Sequence, residues 1–319
     1  MIWIMTSCCG IIAAIFCVSI MRTTAQLEGV FEVLDLAEQA FDDQYLGCRE
    51  AVEQLLEEHG ILEAEKANNY MFRRAWREAE RAWNLTIKNS INSSLPEGFH
   101  DHHGIALVAY TGFIRDDFNQ AVKSGGGSYK NYRDNFHYKA LHYYVTVAIQ
   151  LLSQGCKDQI QILYRGFEDV FYKVADNTTE VKFGHFLHVS SDEDQALNMG
   201  NSTFLTVYSC SGVQVEEFSQ FPHEKEVVFP GSEVFLVREF PEDGIHQFSL
   251  ASTGKQCSNF NCAYILGEAT RLRAQDCITS GETPGMSTGN CKNSAPPGSV
   301  PHWLAVGVVT ALITVVTVF

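Results

Sequence analysis

The spacing of apolar residues changes once along the chain. Through the first half they recur every three or four positions, the period of a helix with one buried face. In CREAVEQLLEEHG, residues Cys48, Ala51, Val52, Leu55 and Leu56 fall on one face, and Gly60 closes the run as a C-cap. NNYMFRRAWREAERAW repeats the pattern with Phe72, Ala75, Trp76, Ala79, Ala82 and Trp83, its arginines and glutamates turned to solvent. Further helices are predicted over GIALVAYTGFIRDDFNQAV and FHYKALHYYVTVAIQLLS, with KSGGGSYKN as the loop between them. After Cys156 the period shortens. QILYRGF, KFGHFLHVS, STFLTVYS, VQVEEFS, EKEVVF, SEVFLVREF and GIHQFSLAST are short runs rich in β-branched and aromatic residues, divided by turn formers. Helices first and strands second predict an α+β architecture rather than alternating α/β. The chain then divides into a helical part over residues 26–155, a β-rich part over 156–270 and a Ser/Thr/Gly/Pro/Asn stalk over 271–293.

Both ends add a route. An apolar stretch of signal-peptide length ends in small residues at Ala25, although it lacks a basic leader. The last stretch, Trp303 to Phe319, carries no charge and stops at the final residue. It follows the small residues Asn293, Ser294 and Ala295 and a short spacer, the arrangement of a glycosylphosphatidylinositol (GPI) anchor signal that would be removed over residues 294–319. A tail-anchored helix is the plainer alternative, but 17 residues span a bilayer poorly. The expectation is a cell-surface protein on the extracellular side, held by a GPI anchor. Sequons at Asn84, Asn92, Asn177 and Asn201 fit that route. So do the cysteines, of which Cys48, Cys156, Cys210, Cys257, Cys262, Cys277 and Cys291 remain after signal removal, an odd number.

Composition excludes more than it suggests. A hydrophobic fraction of 45% supports a full core, and a net charge of −15 with no basic run excludes nucleic acid as a partner. The cluster His100, Asp101, His102 and His103 reads as a helix N-terminus rather than a metal site, because adjacent residues cannot all turn to one ion. No metal is expected. Gly125 to Gly127 follow no strand and lack G-x-G-x-x-G spacing, so no Rossmann phosphate loop is predicted. Catalysis by a free cysteine is not expected where cysteines are paired.

Three segments carry candidate chemistry. In FPHEKEVVFPG a strand would place Glu224 and Glu226 side by side on one face inside an apolar frame, either as solvated charge or as a working pair with separated ionisation. In LYRGF, Arg165 ends an apolar strand ahead of Gly166, which suits a phosphate clasp with close backbone approach, or simply an arginine paired with a surface acid. In FGHFLHVSS, His188, Ser190 and Ser191 close a strand, where hydroxyls commonly serve a turn.

Taken in order, FDDQYLGC, FHYKALHYY, LYRGF, FGHFLHVSS, YSC, FSQFPHEKEVVFPGSEVF and NFNCAYI resemble the vertebrate GPI-anchored ecto-mono-ADP-ribosyltransferases, from about Phe41 to Ile265. That family resembles the cholera-toxin type and carries an arginine, serine, glutamate signature. The resemblance implies a helical half packed on a two-sheet β core, NAD as co-substrate, and transfer of ADP-ribose to arginine side chains of proteins with release of nicotinamide. It implies that Arg165 grips NAD, that Glu226 is the catalytic glutamate, and that Glu224 attends the arginine acceptor. Where the family reads S-x-S, this chain has His188 at the first position and Ser190 at the second. If the first serine orients the glutamate, His188 must do so through another hydrogen bond or not at all. Tyr110 and Ser219 fall where the family touches NAD. The family's disulfides imply Cys48 with Cys262 and Cys156 with Cys210, leaving two of Cys257, Cys277 and Cys291 free to pair. A glycohydrolase of the same fold and a surface binding module that lost turnover stand as alternatives.

Overall fold

The computed structural model describes residues 29–91, 95–153, 155, 160–242, 245–267 and 277–279. The expected signal peptide, most of the stalk and the anchor signal lie outside them. Among the described residues no helix is long and apolar enough to cross a membrane.

The first helices follow the apolar spacing. α1 (Arg49–Glu58) buries Val52 and Leu56, and Gly60, left-handed at φ 59°, ends it and starts α2 (Ile61–Asn68). In α3 (Tyr70–Ala82) the side chain of Asn69 accepts from the Phe72 N–H as an N-cap, and Phe72, Ala75, Trp76 and Ala79 are buried. The helix continues as a π-turn over Trp83–Ile87. The single helix predicted over 104–122 is two: α4 (Asp101–Tyr110) and α5 (Arg115–Gly125). The break comes where the Gly112 N–H bonds the Ala109 carbonyl at 3.1 Å, a tightened turn that ends α4. After α6 (Tyr129–Asn135), α7 (Lys139–Leu152) is buried on every side from Ala140 to Ile149, so it forms the axis of the helical layer. Its N-terminus is capped from another helix: buried Glu65 of α2 accepts from the N–H groups of Lys139 (2.8 Å) and Ala140 (3.0 Å).

Eleven strands are assigned among the described residues, and one lies where helix was expected. β1 (Val30–Leu34) pairs in parallel with β3 (Val170–Val174), so the first part of the chain contributes to a small sheet with the second. The larger sheet runs β4 (Glu180–Val181), β9 (Glu233–Glu242), β10 (Ile245–Gln256), β6 (Thr203–Ser209), β2 (Gln161–Phe167), β5 (Leu187–Ser190), β8 (Glu226–Phe229) and β7 (Val213–Gln214), with β11 (Ile278–Thr279) beside β10. The strand predicted over VQVEEFS stops after Gln214. Val215 and Phe218 turn into the helical core through a 3-10 turn at Glu216–Phe218, and the Phe218 N–H bonds the Val215 carbonyl. Short helices α8 (Glu193–Asn198) and α9 (Ala263–Leu266) interrupt the β half. The α+β class holds.

Two cores meet at β8. Val228 packs with the helices, whereas Val227 and Phe229 pack with Leu163, Val189, Leu205 and Phe235 between the sheets. Alternation along the strand puts Glu226 on the side of Val228, toward the helices. The Cys48–Cys262 disulfide forms as the resemblance implies, and Cys257 pairs with Cys277. Cys210 is disulfide-bonded; Cys156 and Cys291 lie outside the described residues. The carboxylate of Asp43 accepts from the N–H groups of Cys262 (2.9 Å) and Ala263 (2.7 Å), which seats α9 against the chain ahead of α1. Asn84, Asn177 and Asn201 are exposed, and Asn92 lies outside the described residues.

Candidate active site

Glu226 opens β8 opposite Ser190 of β5, and Ser190 in turn lies opposite Tyr164 of β2. The register thus places Tyr164, Ser190 and Glu226 at one level across three neighbouring strands, with Arg165 the next residue along. The Glu226 side chain is fully buried, and Oε1 accepts from Arg115 Nη1 at 2.7 Å. Oε2 is buried without a partner. Burial pushes the pKa of Glu226 up to about 7; Arg115 opposes the rise, and the nearby charge of Glu224 adds to it. Arg165 pulls it down more weakly. No hydrogen bond joins Arg165 to Glu226 among the described residues; its charge reaches the carboxyl without contact.

Arg165 shares the side of β2 with Phe167 and sits 4.9 Å over that ring, while Nη1 points at Met199 Sδ at 2.7 Å. Met199 follows α8, so this helix holds the guanidinium from one side. Burial, with Arg115 second, lowers the pKa of Arg165 to about 10, which leaves it a cation. Its Nε is buried and unpartnered. Gly166 has a different reason from the one expected. A Cβ there would lie 1.9 Å from the Gly200 carbonyl oxygen and 2.3 Å from that of Ala196, so the glycine admits the chain's own backbone behind Arg165 rather than a ligand.

Glu224 is not in a strand. It ends a 3-10 turn at Pro222–Glu224, and Lys225 follows in the left-handed region at φ 48° before β8 begins. Glu224 and Glu226 therefore share a neighbourhood, as the charge of one acts on the other, but not the face of one strand. The turn is tied down from β5: Ser190 Oγ donates to the Glu224 carbonyl at 2.7 Å and accepts from the Asp192 N–H, the Ser191 N–H bonds the Lys225 carbonyl, and Lys225 pairs with Asp192 at 2.8 Å. The Ser190 hydroxyl is spent on this turn.

His188 lies opposite Val228 and is buried. Its Nε2 has no partner, and burial followed by the charges of Arg165 and Arg115 holds it well below the usual histidine range, hence neutral. It does not bond Glu226. His185, likewise neutral with an unpartnered Nε2, donates from Nδ1 to the Phe186 carbonyl. Tyr110 is fully buried and its hydroxyl donates to the same carbonyl at 3.1 Å. Its hydroxyl is thus engaged with main chain, on the same carbonyl that His185 bonds. Ser219 is buried too, its hydroxyl accepting from the Phe221 N–H at 2.9 Å in the turn before Glu224.

Arg165, His185, His188, Arg115 and Glu226, several of which feel one another's charge, each carry a buried polar atom without a protein partner, as do His103, Asn119, Thr146 and Glu233; the first five group donors and an acceptor that a polar ligand can use. Elsewhere, a cavity of about 570 Å³ is lined by Glu50, Glu53, Glu57 and the His100–His102 segment and includes none of these residues. There, potential ligand atoms of Glu53, His100 and His103 come within 4.8 Å of one another. The two histidines are engaged in an N-cap, the His100 N–H donating to His103 Nδ1 and His100 Nε2 lying 2.6 Å from Glu53.

A family model for NAD:arginine ADP-ribosyltransferase matches residues 34–258, which hold every residue of this site. The chain belongs to that family. Among relatives of this ADP-ribosyltransferase, Ecto-ADP-ribosyltransferase 5 of Bos taurus is 37% identical over 81% of the chain and 82% of its own length. T-cell ecto-ADP-ribosyltransferase 2 of Mus musculus is 41% identical over 73% and 77%. The crystal structure of the mono-ADP-ribosyltransferase ART2.2 superposes with a TM-score of 0.63 at 37% identity, over 73% of this chain and 99% of that one. A mutant of ART2.2 in complex with NAD gives 0.62 at 39% identity. Arg115 is the ADP-ribosyltransferase site residue that sequence reasoning missed. One signal was present: a basic residue at a helix N-terminus, ahead of Asp116 and Asp117, sits against the helix dipole.

Proposed function

We propose that this protein transfers ADP-ribose from NAD to arginine side chains of extracellular or cell-surface proteins, releases nicotinamide, and is held at the membrane by a GPI anchor. The observation that carries the reading is the buried Glu226 carboxyl with Oε2 unpartnered, poised near neutrality in the field of Arg165 and beside Glu224. NAD supplies an activated N-glycosidic bond, whose electron pair leaves with nicotinamide while the ribose carbon gains positive character. Glu226, ionised, accepts a ribose hydroxyl and stabilises that charge. Arg165 holds phosphate oxygens, with Phe167 and Met199 fixing its fork. Glu224, on the turn held by Ser190, draws in the acceptor guanidinium, whose nitrogen bonds the ribose carbon and gives up a proton. His185 and His188, neutral and unpartnered, offer hydrogen bonds to the dinucleotide without adding charge. The ecto-transferase names of the relatives support the extracellular setting.

The test pairs nicotinamide release with transfer of labelled ADP-ribose to agmatine or polyarginine. Glu226→Gln abolishes both, and Glu224→Gln spares release while transfer is lost. Release without transfer in the unaltered protein would make it a glycohydrolase; no release at all would leave only a binding module.

A further inference from the structure

We propose that Arg115 is the positioning residue for Glu226, holding Oε1 so that Oε2 is presented to the substrate ribose in place of the serine-based orientation that this chain lacks. The inference rests on reading Glu226 as the carboxylate that acts on NAD.

Four observations carry it. The contact is direct and dry: Arg115 Nη1 lies 2.7 Å from Oε1, with the Glu226 side chain at 0% exposure and that of Arg115 at 19%. A carboxylate held by one oxygen in a dry site has its plane and rotamer fixed, and here the other oxygen is buried and unspent. Neither residue at the positions of the family's serine pair does this work. Ser190 spends its hydroxyl on the Glu224 carbonyl and the Asp192 N–H, and His188 Nε2 reaches nothing. Finally, Arg115 stands on the first residue of α5, where the helix dipole disfavours a cation, and its Nε is buried without a partner. A brace between helix and sheet gains little from an arginine set against the dipole with part of its fork unsatisfied. An arginine whose purpose is to hold one oxygen of a working carboxylate accounts for both.

The charged and titratable groups facing Glu226 are Arg115 from α5, Arg165 from β2, Glu224 from the preceding turn and, more remotely, Tyr110 from α4. Of these, Arg115 alone is in contact. Removing it frees the carboxyl to rotate and removes the cation that opposes its protonation.

The experiment compares the purified protein with Arg115→Met, Arg115→Lys and Glu226→Gln. Nicotinamide release is followed against NAD concentration and pH, and the Glu226 carboxyl is titrated without NAD by ¹³C NMR on glutamate-labelled protein, assigned through Glu226→Gln. Arg115→Met is expected to lower kcat about 100-fold, with KM for NAD changed no more than about threefold, because a mis-set group slows the chemical step rather than binding. Its ascending pH limb and the Glu226 titration both move to higher pH, and Arg115→Lys restores most of that movement and part of the rate. A wild-type kcat and pH limb in Arg115→Met, with Glu226→Gln inactive, overturns the proposal while leaving the reading of Glu226 intact. So does a fall in melting temperature and rate, equal in Met and Lys variants, with the pH limb unmoved, which marks a brace. If Glu226→Gln releases nicotinamide as fast as the unaltered protein, the reading of Glu226 is what fails, and the proposal falls with it.

Discussion

Replacing Gly166 with alanine tests whether the backbone behind Arg165 is as tightly set as the structure has it. The added Cβ would lie 1.9 Å from the Gly200 carbonyl oxygen and 2.3 Å from that of Ala196. Both obstacles are main chain, and Gly200 is itself locked: a Cβ there would come within 2.1 Å of the Glu168 N–H nitrogen. The two glycines interlock, so relief requires β2 or the α8 end to move by about 1 Å, an overpacking cost of about 3 kcal/mol at the upper end of its usual range. For a body of this size that is about 6 to 12 °C in melting temperature. The same movement carries Met199 away from Arg165, so nicotinamide release, measured as kcat/KM, is expected to fall about 100-fold. Thermal melts followed by circular dichroism and initial rates with NAD read the two effects separately. A variant that melts within about 1 °C of the unaltered protein yet loses NAD turnover would refute the packing argument and restore the idea that Gly166 admits a ligand. One that keeps both stability and turnover would refute the clash itself.

Other expectations follow from the same geometry. If Glu226 acts as the ionised carboxylate proposed above, its pKa, raised to about 7, makes nicotinamide release climb from pH 5 to 8 with a single-proton slope and a midpoint near that value; a flat rate across the range would contradict that role. Cys48→Ser with Cys262→Ser removes a link that closes 214 residues of sequence separation, which a chain-entropy treatment values at about 5 kcal/mol, so denaturant midpoints should fall sharply, with a raised m-value because the freed unfolded chain exposes more surface. Lys182→Met strands the buried Asp42 carboxylate, paired with Lys182 at 2.6 Å, and should cost about 3 to 5 kcal/mol in urea unfolding; Asp42→Asn added to it should recover much of that loss. Failure of the second change to rescue would mean that the bonds Lys182 Nζ donates to the Cys257 carbonyl (2.8 Å) and to Asn259 Oδ1 (3.1 Å), rather than the pair, carry the stability.

Much of this was legible because burial repeats with a period. Phe72, Ala75, Trp76 and Ala79 announced α3, and QILYRGF announced β2 residue for residue. What escaped was set by distant partners. β1 reads VFEVL, an apolar run, yet buries only Leu34; it lies in the half whose spacing is helical, and it exists through its pairing with β3. Glu224 looked like a strand residue because its neighbours are apolar; the turn under it is imposed by the Ser190 hydroxyl, 34 residues away, and by the left-handed Lys225. Arg165 and Glu226 were singled out through an ordered set of segments, whereas Arg115 lies in none of the signature segments and its contact is with a partner 111 residues on. The reason for Gly166 was misjudged because no spacing in QILYRGF reveals that the Ala196 and Gly200 carbonyls press against it.

One reversal of backbone handedness, at Lys225, separates the two acidic residues into different structural jurisdictions. Glu226 belongs to a sheet and answers to its hydrogen-bond ladder; Glu224 belongs to a loop and answers to a hydroxyl and an ion pair at its rim. On the proposed roles, selection can therefore retune the acceptor-side residue, by altering Asp192, Lys225 or Glu224, while the carboxylate assigned to the sugar stays anchored. Divergence in what such an enzyme modifies then costs little in how well it breaks the dinucleotide.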